Sequence, residues 1–249
     1  WAYYTSIGNA QRDGYGYLAG SIGISLAFLL SPLLLRPLLE LTRTYQLSSL
    51  ADLVAFRYRS PWAGTVSTLV TLIAVIPLIA LQIRAVSDTA FLLSPEAGQS
   101  FFALGFCVII TLFSILFGTS RRAGRTQYDG LVMAIAFESL VKLIAFLVVG
   151  AFAVYGAFGS FSGLDQWLQE QPELIANLKN TDYFSSFHVM TLLFFTAAVA
   201  MPHMFYVTFN GNNGQRALSF ASWGLPLYFL LLSLPVLPIL WAGLQSRSS

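Results

Sequence analysis

Residues 63–83 read AGTVSTLVTLIAVIPLIALQI, a run of 21 residues without a charged side chain. A helix rises about 1.5 Å per residue, so a helix of this length crosses a hydrocarbon core about 30 Å thick. The run lacks the alternation of polar and apolar residues shown by a strand of a membrane barrel, and an open sheet cannot lie in lipid. The sequence therefore predicts a transmembrane helix here.

Similar runs recur through the 249 residues, of which 56% are hydrophobic and only 10% are charged. The other uncharged runs are Tyr17–Leu35, Phe101–Gly118, His188–Phe209 and Trp223–Leu244. Leu131–Phe158 is as long but contains Glu138 and Lys142, and the residues before Gly8 resemble half of a further helix. We expect an all-α integral membrane protein with about six full transmembrane helices and one partial helix.

The composition argues against several classes of function. The net charge is only +2, without a dense basic patch, so no nucleic-acid partner is expected. Two histidines and the single Cys107, which lies inside an apolar run, cannot build a zinc site of recognisable spacing. No hydrolase triad or phosphate-binding loop is present in the sequence. We therefore expect no catalytic and no metal-ligating residue in this segment.

The charge distribution predicts the orientation of the helices. Eight of the 13 basic residues lie in three predicted loops, 36–62, 119–130 and 210–222. Seven of the 11 acidic residues lie in 9–16, 86–100 and 159–183, with Arg12 and Lys179 as the only basic residues there. Since basic loops stay on the cytoplasmic side, we expect the first group to face the cytoplasm and the second to face outward. A multi-pass location in a membrane follows, and the resemblance described below implies the bacterial inner membrane.

A short amphipathic helix is predicted in the first cytoplasmic loop, near residues 48–59. The sequence Ser49-Leu-Ala-Asp52 has the form of a capping box, and apolar residues recur on one side of the segment after it. We expect this helix to lie along the inner interface of the lipid bilayer.

Glu138 and Lys142 are the charged residues of the span Leu131–Phe158. Their spacing of four places both on one face of a helix, in the favourable order for an ion pair. The pair could line a polar cavity or couple two states, or it could simply lock helices together. The sequence leaves both interpretations open.

The segment Ala198-Val-Ala-Met-Pro-His-Met-Phe-Tyr206 places Pro202 in the middle of a span, with His203 beside it. Proline removes a backbone hydrogen bond, and many transporters build their solute site at such a broken helix. Alternatively, the proline kinks the helix with no ligand nearby and the histidine is an ordinary interior residue. Gln82 has two interpretations as well, a hydrogen bond within the bundle or a site residue.

Three segments resemble the solute:sodium symporter family. Residues 44–59, TYQLSSLADLVAFRYR, and 77–86, PLIALQIRAV, are similar to a loop and the third core helix of that family. Residues 201–204, MPHM, resemble the broken sixth core helix of its proline-type members. The similarity extends over nearly the whole chain.

Two further segments resemble one branch more closely. Residues 131–146, LVMAIAFESLVKLIAF, and 1–8, WAYYTSIG, are similar to the symporter-like membrane domain at the front of CbrA-type sensor histidine kinases. The Ala-Phe-Glu-Ser-Leu-Val-Lys motif departs from the Thr-Asp-containing segment of stand-alone symporters. The full-length protein is therefore expected to be a histidine kinase of a two-component system, with downstream kinase modules and a response regulator as partners.

The resemblance implies a fold and a site. The fold is a LeuT-like bundle of five plus five core helices in inverted repeat, of which this chain would be a piece running from half of core helix one through core helix seven. The solute would lie between helices one and six. The implied solute-facing residues are Trp1, Tyr4, Met201, Pro202 and His203, supported by Gln82 and the Glu138–Lys142 pair.

The implied function is that of a sodium:solute symporter-like domain that binds or transports a small nutrient, an amino acid such as histidine or proline. Sodium is expected for the full-length protein, with ligands mostly on the first half of helix one and on helix eight, outside this chain. A stand-alone symporter and a structural membrane anchor without solute binding remain alternatives.

The charge asymmetry generates a test of the topology. Single cysteines at Gly124 and Gly163, in a Cys107-free background, are expected to react with a membrane-impermeant thiol reagent from opposite sides of the membrane. Labelling in intact and opened cells measures this. Reaction of both positions with reagent added outside would contradict the orientation.

Overall fold

The computed structural model describes residues 2–94, 98–118, 129–178, 184–211 and 214–248, and these residues contain no β-strand. The helices are α1 Ala2–Asp13, α2 Leu18–Leu29, α3 Leu35–Thr44, α4 Leu50–Tyr58, α5 Pro61–Leu93, α6 Gln99–Phe113, α7 Asp129–Phe152, α8 Phe161–Gln169, α9 Pro172–Leu178, α10 Phe184–Ala200, α11 Pro202–Phe205, α12 Gln215–Ser233 and α13 Val236–Ser248. A 3₁₀ turn, Gly14–Tyr17, joins α1 to α2. Wider π turns follow α6, α7 and α11 at Ser114–Gly118, Ala153–Ala157 and Tyr206–Asn210.

Several of these helices are long and apolar enough to cross a membrane. Within the described residues they are Pro61–Leu93, Gln99–Leu116, Met133–Ala157 and Gln215–Ser246. The pair Phe187–Ala200 and Pro202–Asn210, bent by 53°, brings the number to five if the two helices are one span. The prediction of an all-helical membrane protein is confirmed at this level.

The predicted span Tyr17–Leu35 is wrong as a single long helix. Helix α2 ends at Leu29, and turns carry the chain through residues 30–34 before α3 begins. Pro32 has no N–H to donate to the preceding turn, and it disfavours a helical conformation at Ser31. The 12 residues of α2 measure about 18 Å, less than the hydrocarbon core. The predicted count of six full spans is therefore too high for the described part of the chain.

Two helices also extend further along the chain than predicted. Helix α1 runs through Gly8 as far as Asp13, and α5 continues past Ile83 to Leu93. Arg84 lies 3.7 Å from Asp88, one turn further along α5. This i,i+4 ion pair stabilises the helix at the start of residues 86–100, which the sequence had predicted to be a loop.

The centre of the bundle is α2, which packs between α10 and α12. A Cβ atom added at Gly23 would lie 2.4 Å from the backbone oxygen of Thr191 and 2.9 Å from Cβ of Phe194. Only glycine allows α2 and α10 to approach this closely. The main core follows from this contact and consists of Ala27, Phe28, Leu35, Leu39, Ala198, Phe205, Phe209 and Leu218.

The predicted cytoplasmic loops meet at one end of the bundle. Nδ2 of Asn210 donates to the carbonyl of Ser48 at 2.5 Å, and Nη2 of Arg36 donates to Oγ of Ser219 at 2.9 Å. At the other end, α1 and α9 lie together with α13 around a small pocket. Segments that are predicted to face the same side of the membrane thus lie next to each other in the fold. Residues 119–128, which contain three of the arginines, lie outside the described residues.

The predicted capping box forms at the start of α4. Oγ of Ser49 accepts a hydrogen bond from the backbone N–H of Asp52 at 3.1 Å. The Asp52 carboxylate in return accepts from the N–H of Ser48 at 3.0 Å. Leu50 and Leu53 pack against the main core, so the apolar side of α4 faces the bundle.

Gly23 provides a test of the central packing. Gly23→Ala is expected to lower the free energy of unfolding by about 1–3 kcal/mol, because the new methyl group collides with the α10 backbone. Gly105→Ala in α6 is the matched control, since a Cβ there meets nothing within 4 Å and should add about 0.5–1 kcal/mol through helix propensity. Unfolding in detergent micelles measures both, and equal effects would contradict the close contact.

Candidate functional site

The break between α10 and α11 lies at Met201, where the backbone is extended, with φ −66° and ψ 130°. Pro202 has no N–H, so the carbonyl of Ala198 loses its helical donor. The chain stays anchored on both sides, because Met201 N–H donates to Ala197 at 3.0 Å and Phe205 N–H donates to Met201 at 2.8 Å. The predicted break at Pro202 is present in the fold.

The other predicted site residues are dispersed. Met201 is half-buried, whereas Pro202 and His203 are exposed. Gln82 is exposed on α5, whose main neighbours are α4 and α6. Trp1 and the side chain of Tyr4 lie outside the described residues. The structure therefore brings Met201, Pro202 and His203 together at the break but places Gln82 on another part of the bundle.

A cavity of about 290 Å³ lies between α1, α2, α10 and the α12–α13 segment, and none of the predicted site residues lines it. Its mouth is polar and is formed by α1, with Ser6, Asn9, Arg12 and Asp13. Its interior is mostly apolar, with Ile24, Phe194, Phe229 and Val236. An apolar chamber with a few convergent polar groups is the usual form of a small-molecule site, and this volume suits a small ligand.

Glycines and one tyrosine explain how the sequence builds this cavity. Gly16 and Gly20 line its wall, and a Cβ at Gly20 would lie 3.4 Å from the Phe194 ring. A Cβ at Gly16 would lie 3.2 Å from Cβ of Asp13, so both glycines allow close packing along this wall. The Tyr17 hydroxyl donates to the Ser233 carbonyl at 3.2 Å and so ties the start of α2 to the end of α12.

The mouth of the cavity presents one positive and one negative charge side by side. Nε of Arg12 donates to Oδ1 of Asp13 at 3.2 Å, and Nη2 of Arg12 donates to Oδ1 of Asn9 at 3.1 Å. The Arg12 side chain is 72% exposed and that of Asp13 is 23% exposed. Sequence reasoning missed these residues, although Arg12 stood out as a basic residue in an otherwise acidic outward segment.

A larger pocket of about 610 Å³ lies at the opposite end of the bundle, beside residues 42–48 and Asn210. Its walls come from the end of α3, the residues that follow α3 and the π turn Tyr206–Asn210. The smaller cavity is the better candidate site, because residues of four helical segments line it and the charged Arg12 and Asp13 lie together on one side of it.

The Glu138–Lys142 ion pair forms on α7, where Nζ of Lys142 donates to Oε1 of Glu138. Both side chains remain more than half exposed, at 58% and 54%. The other side of α7 faces the bundle, since the Ser139 carbonyl accepts from the Tyr228 hydroxyl at 3.5 Å and Gly150 lies against Pro235. The pair thus lies apart from the cavity.

No family model, curated protein or solved structure matches this chain. Among the described residues there is also no group of three histidine, cysteine, aspartate or glutamate side chains that could hold a metal ion. The resemblance to the solute:sodium symporters therefore stays a prediction based on the quoted motifs.

The charge pair can be tested with a double-mutant cycle. Glu138→Leu and Lys142→Leu each leave one unpaired charge in the span, and each is expected to cost about 2.5–3.5 kcal/mol in the free energy of unfolding. The double variant should cost less than either single variant, because no charge is then left in lipid.

The matched control is the Arg84–Asp88 pair near the end of α5, which has the same spacing and a separation of 3.7 Å. Its coupling should be only about 0.3–0.5 kcal/mol, as for exposed helix pairs in water. Additive losses for Glu138 and Lys142 would show that the two residues do not interact.

Proposed function

We propose that this chain is a sodium:solute symporter-like membrane domain that binds a small nutrient, an amino acid such as proline or histidine. The observation that carries the proposal is the 53° break at Met201–Pro202 in an apolar span. Irregular backbone at membrane depth is tolerated where protein or a water-filled cavity covers it, and transporters bind their solutes at such breaks.

The cavity supports the same proposal by its position. It lies between α1 and α10, which are the segments that the resemblance assigns to core helices one and six. Those are the two helices between which the family binds its solute. Helix α1 supplies the polar mouth and α10 supplies Met190 and Phe194, so both segments contribute to one chamber.

We further propose that the domain serves as the input of a sensor histidine kinase. The motifs at residues 131–146 and 1–8 support this assignment. A solute that binds one conformation more tightly than another shifts the balance between them, and a kinase can use that shift as a signal. A stand-alone symporter would use the same solute site, so binding is the property common to both assignments.

Sodium enters the proposal only through the resemblance. The resemblance assigns the sodium ligands to the first half of helix one and to helix eight, outside this chain. Solute binding by the chain alone is therefore expected to be independent of sodium, because sodium has no differential contact through which to favour one state. Replacement of sodium by choline in the assay below should leave the Kd unchanged.

The proposal predicts saturable binding of radiolabelled L-proline or L-histidine by the purified chain in lipid nanodiscs. Pro202→Ala is expected to weaken binding about tenfold or more, because the restored N–H straightens the helix. Pro226→Ala is the matched control, since Pro226 lies inside α12 without breaking it. His203→Ala and His188→Ala form a second matched pair, of which only the first should weaken binding.

The alternative of a structural anchor gives a different result. An anchor binds neither amino acid, and its stability should respond in the same way to both proline replacements. Absence of saturable binding by the unaltered chain would therefore refute the solute-binding domain.

A further inference from the structure

A groove of about 480 Å³ lies on α12 and shares no residue with the cavity described above. Its walls are Ser219, Phe220, Trp223, Gly224 and Leu227. These positions lie on one face of the helix, because residues three or four apart are neighbours on a helix surface. The groove begins about 6 Å after the start of the apolar span Gln215–Ser246 and runs about 12 Å along it.

The groove faces outward from the bundle. The side chains that flank it are exposed, Phe220 to 80%, Trp223 to 75% and Leu227 to 58%. A Cβ at Gly224 would meet nothing within 4 Å, so this glycine leaves the space between them open. The outer face of a membrane-spanning helix is surrounded by lipid tails. An acyl chain is therefore the apolar partner that this face meets in a membrane.

Two arginines lie where the groove begins. Arg216 is exposed and precedes Ser219 by one turn on the same face of α12. Arg36, in the first turn of α3, reaches the groove directly, because its Nη2 donates to Oγ of Ser219 at 2.9 Å. Its Nε has no acceptor in the described part of the chain. The protein thus leaves part of the hydrogen-bonding capacity of this guanidinium for a ligand.

The charge at this end of the groove selects an anion. Helices α3 and α12 contain a single acidic residue, Glu40, whose Oε1 accepts from Nε2 of Gln215 at 2.8 Å. Neither Arg36 nor Arg216 forms an ion pair with another described residue. A phosphate diester suits these two guanidinium groups, because its oxygens accept charge-assisted hydrogen bonds. A zwitterionic headgroup adds an ammonium group that the arginines repel, so an anionic headgroup is favoured.

We propose that this groove and its two arginines bind one anionic phospholipid of the surrounding leaflet. Arg36 and Arg216 bind the headgroup phosphate, and the face from Phe220 to Leu227 holds an acyl chain. The site is independent of the proposed solute, since it shares no residue with the cavity or with the Met201–Pro202 break.

The first test needs no substitution. The purified chain in detergent micelles is titrated with dioleoyl phosphatidylglycerol or dioleoyl phosphatidylcholine, and native mass spectrometry measures the Kd of the first bound lipid. The two lipids carry the same acyl chains, so the comparison isolates the headgroup. Phosphatidylglycerol is expected to bind about tenfold more tightly. Equal affinities would overturn the proposal.

The arginines are tested one at a time. Arg36→Gln and Arg216→Gln are each expected to raise the Kd for phosphatidylglycerol about fivefold or more. Arg57→Gln and Arg59→Gln are matched controls, because both arginines are exposed on the same predicted side, at the end of α4. The controls should leave the Kd unchanged. Equal losses in all four variants would indicate a diffuse attraction to the basic surface and would overturn the site.

The acyl-chain part of the site has its own test. Gly224→Leu places a side chain in the groove and should raise the Kd about tenfold. Gly243→Leu is the matched control in the same span, since a Cβ at either glycine meets nothing within 4 Å and both variants should fold. Unchanged binding by Gly224→Leu would contradict the groove as the acyl-chain site. Inorganic phosphate should not displace the lipid, and displacement would show that the arginines bind a free anion instead.

Discussion

The close approach of α2 and α10 at Gly23 governs the arrangement of the bundle. The backbone oxygen of Thr191 lies 2.4 Å from the position that a β-carbon of residue 23 would take, so the two helices touch backbone to backbone. One turn along α2 in one direction, this contact brings Phe194 against Gly20 and forms a wall of the cavity. One turn in the other direction, it brings Ala27 into the main core. Cavity and core thus depend on the same missing methyl group.

The features that the sequence predicted well are local ones. Uncharged runs of about 20 residues identify membrane-spanning helices. A helix of that length crosses the hydrocarbon core, and charged side chains are costly in lipid. The Ser49 cap, the Glu138–Lys142 pair and the break at Pro202 likewise depend on residues within one or two turns of each other. In each case the chemistry of neighbouring residues is sufficient to fix the structure.

Two features of the fold could not be predicted from the sequence pattern, the end of α2 and the cavity. Pro32 and Pro77 both lie in apolar runs, yet α2 ends before Pro32 while α5 continues through Pro77. The carbonyl of Ser31 accepts from both Leu35 and Arg36 and starts α3, a turn that hydropathy does not reveal. The cavity could not be predicted either, because its α1 mouth and its Phe229 wall are more than 200 positions apart in sequence.

The break at Met201 divides one span into two parts with different attachments. Helix α10 is attached mainly to α2, whereas the turn Tyr206–Asn210 packs on α3 and, through Asn210, bonds to Ser48. Pro202 has no backbone N–H, so a change in the angle between the two parts breaks no hydrogen bond from residue 202. The part of the span before the break borders the cavity through Met190 and Phe194, and the part after it holds the residues that lead into α4. One bent span thus connects the cavity at one end of the bundle with the α3–α4 turn at the other.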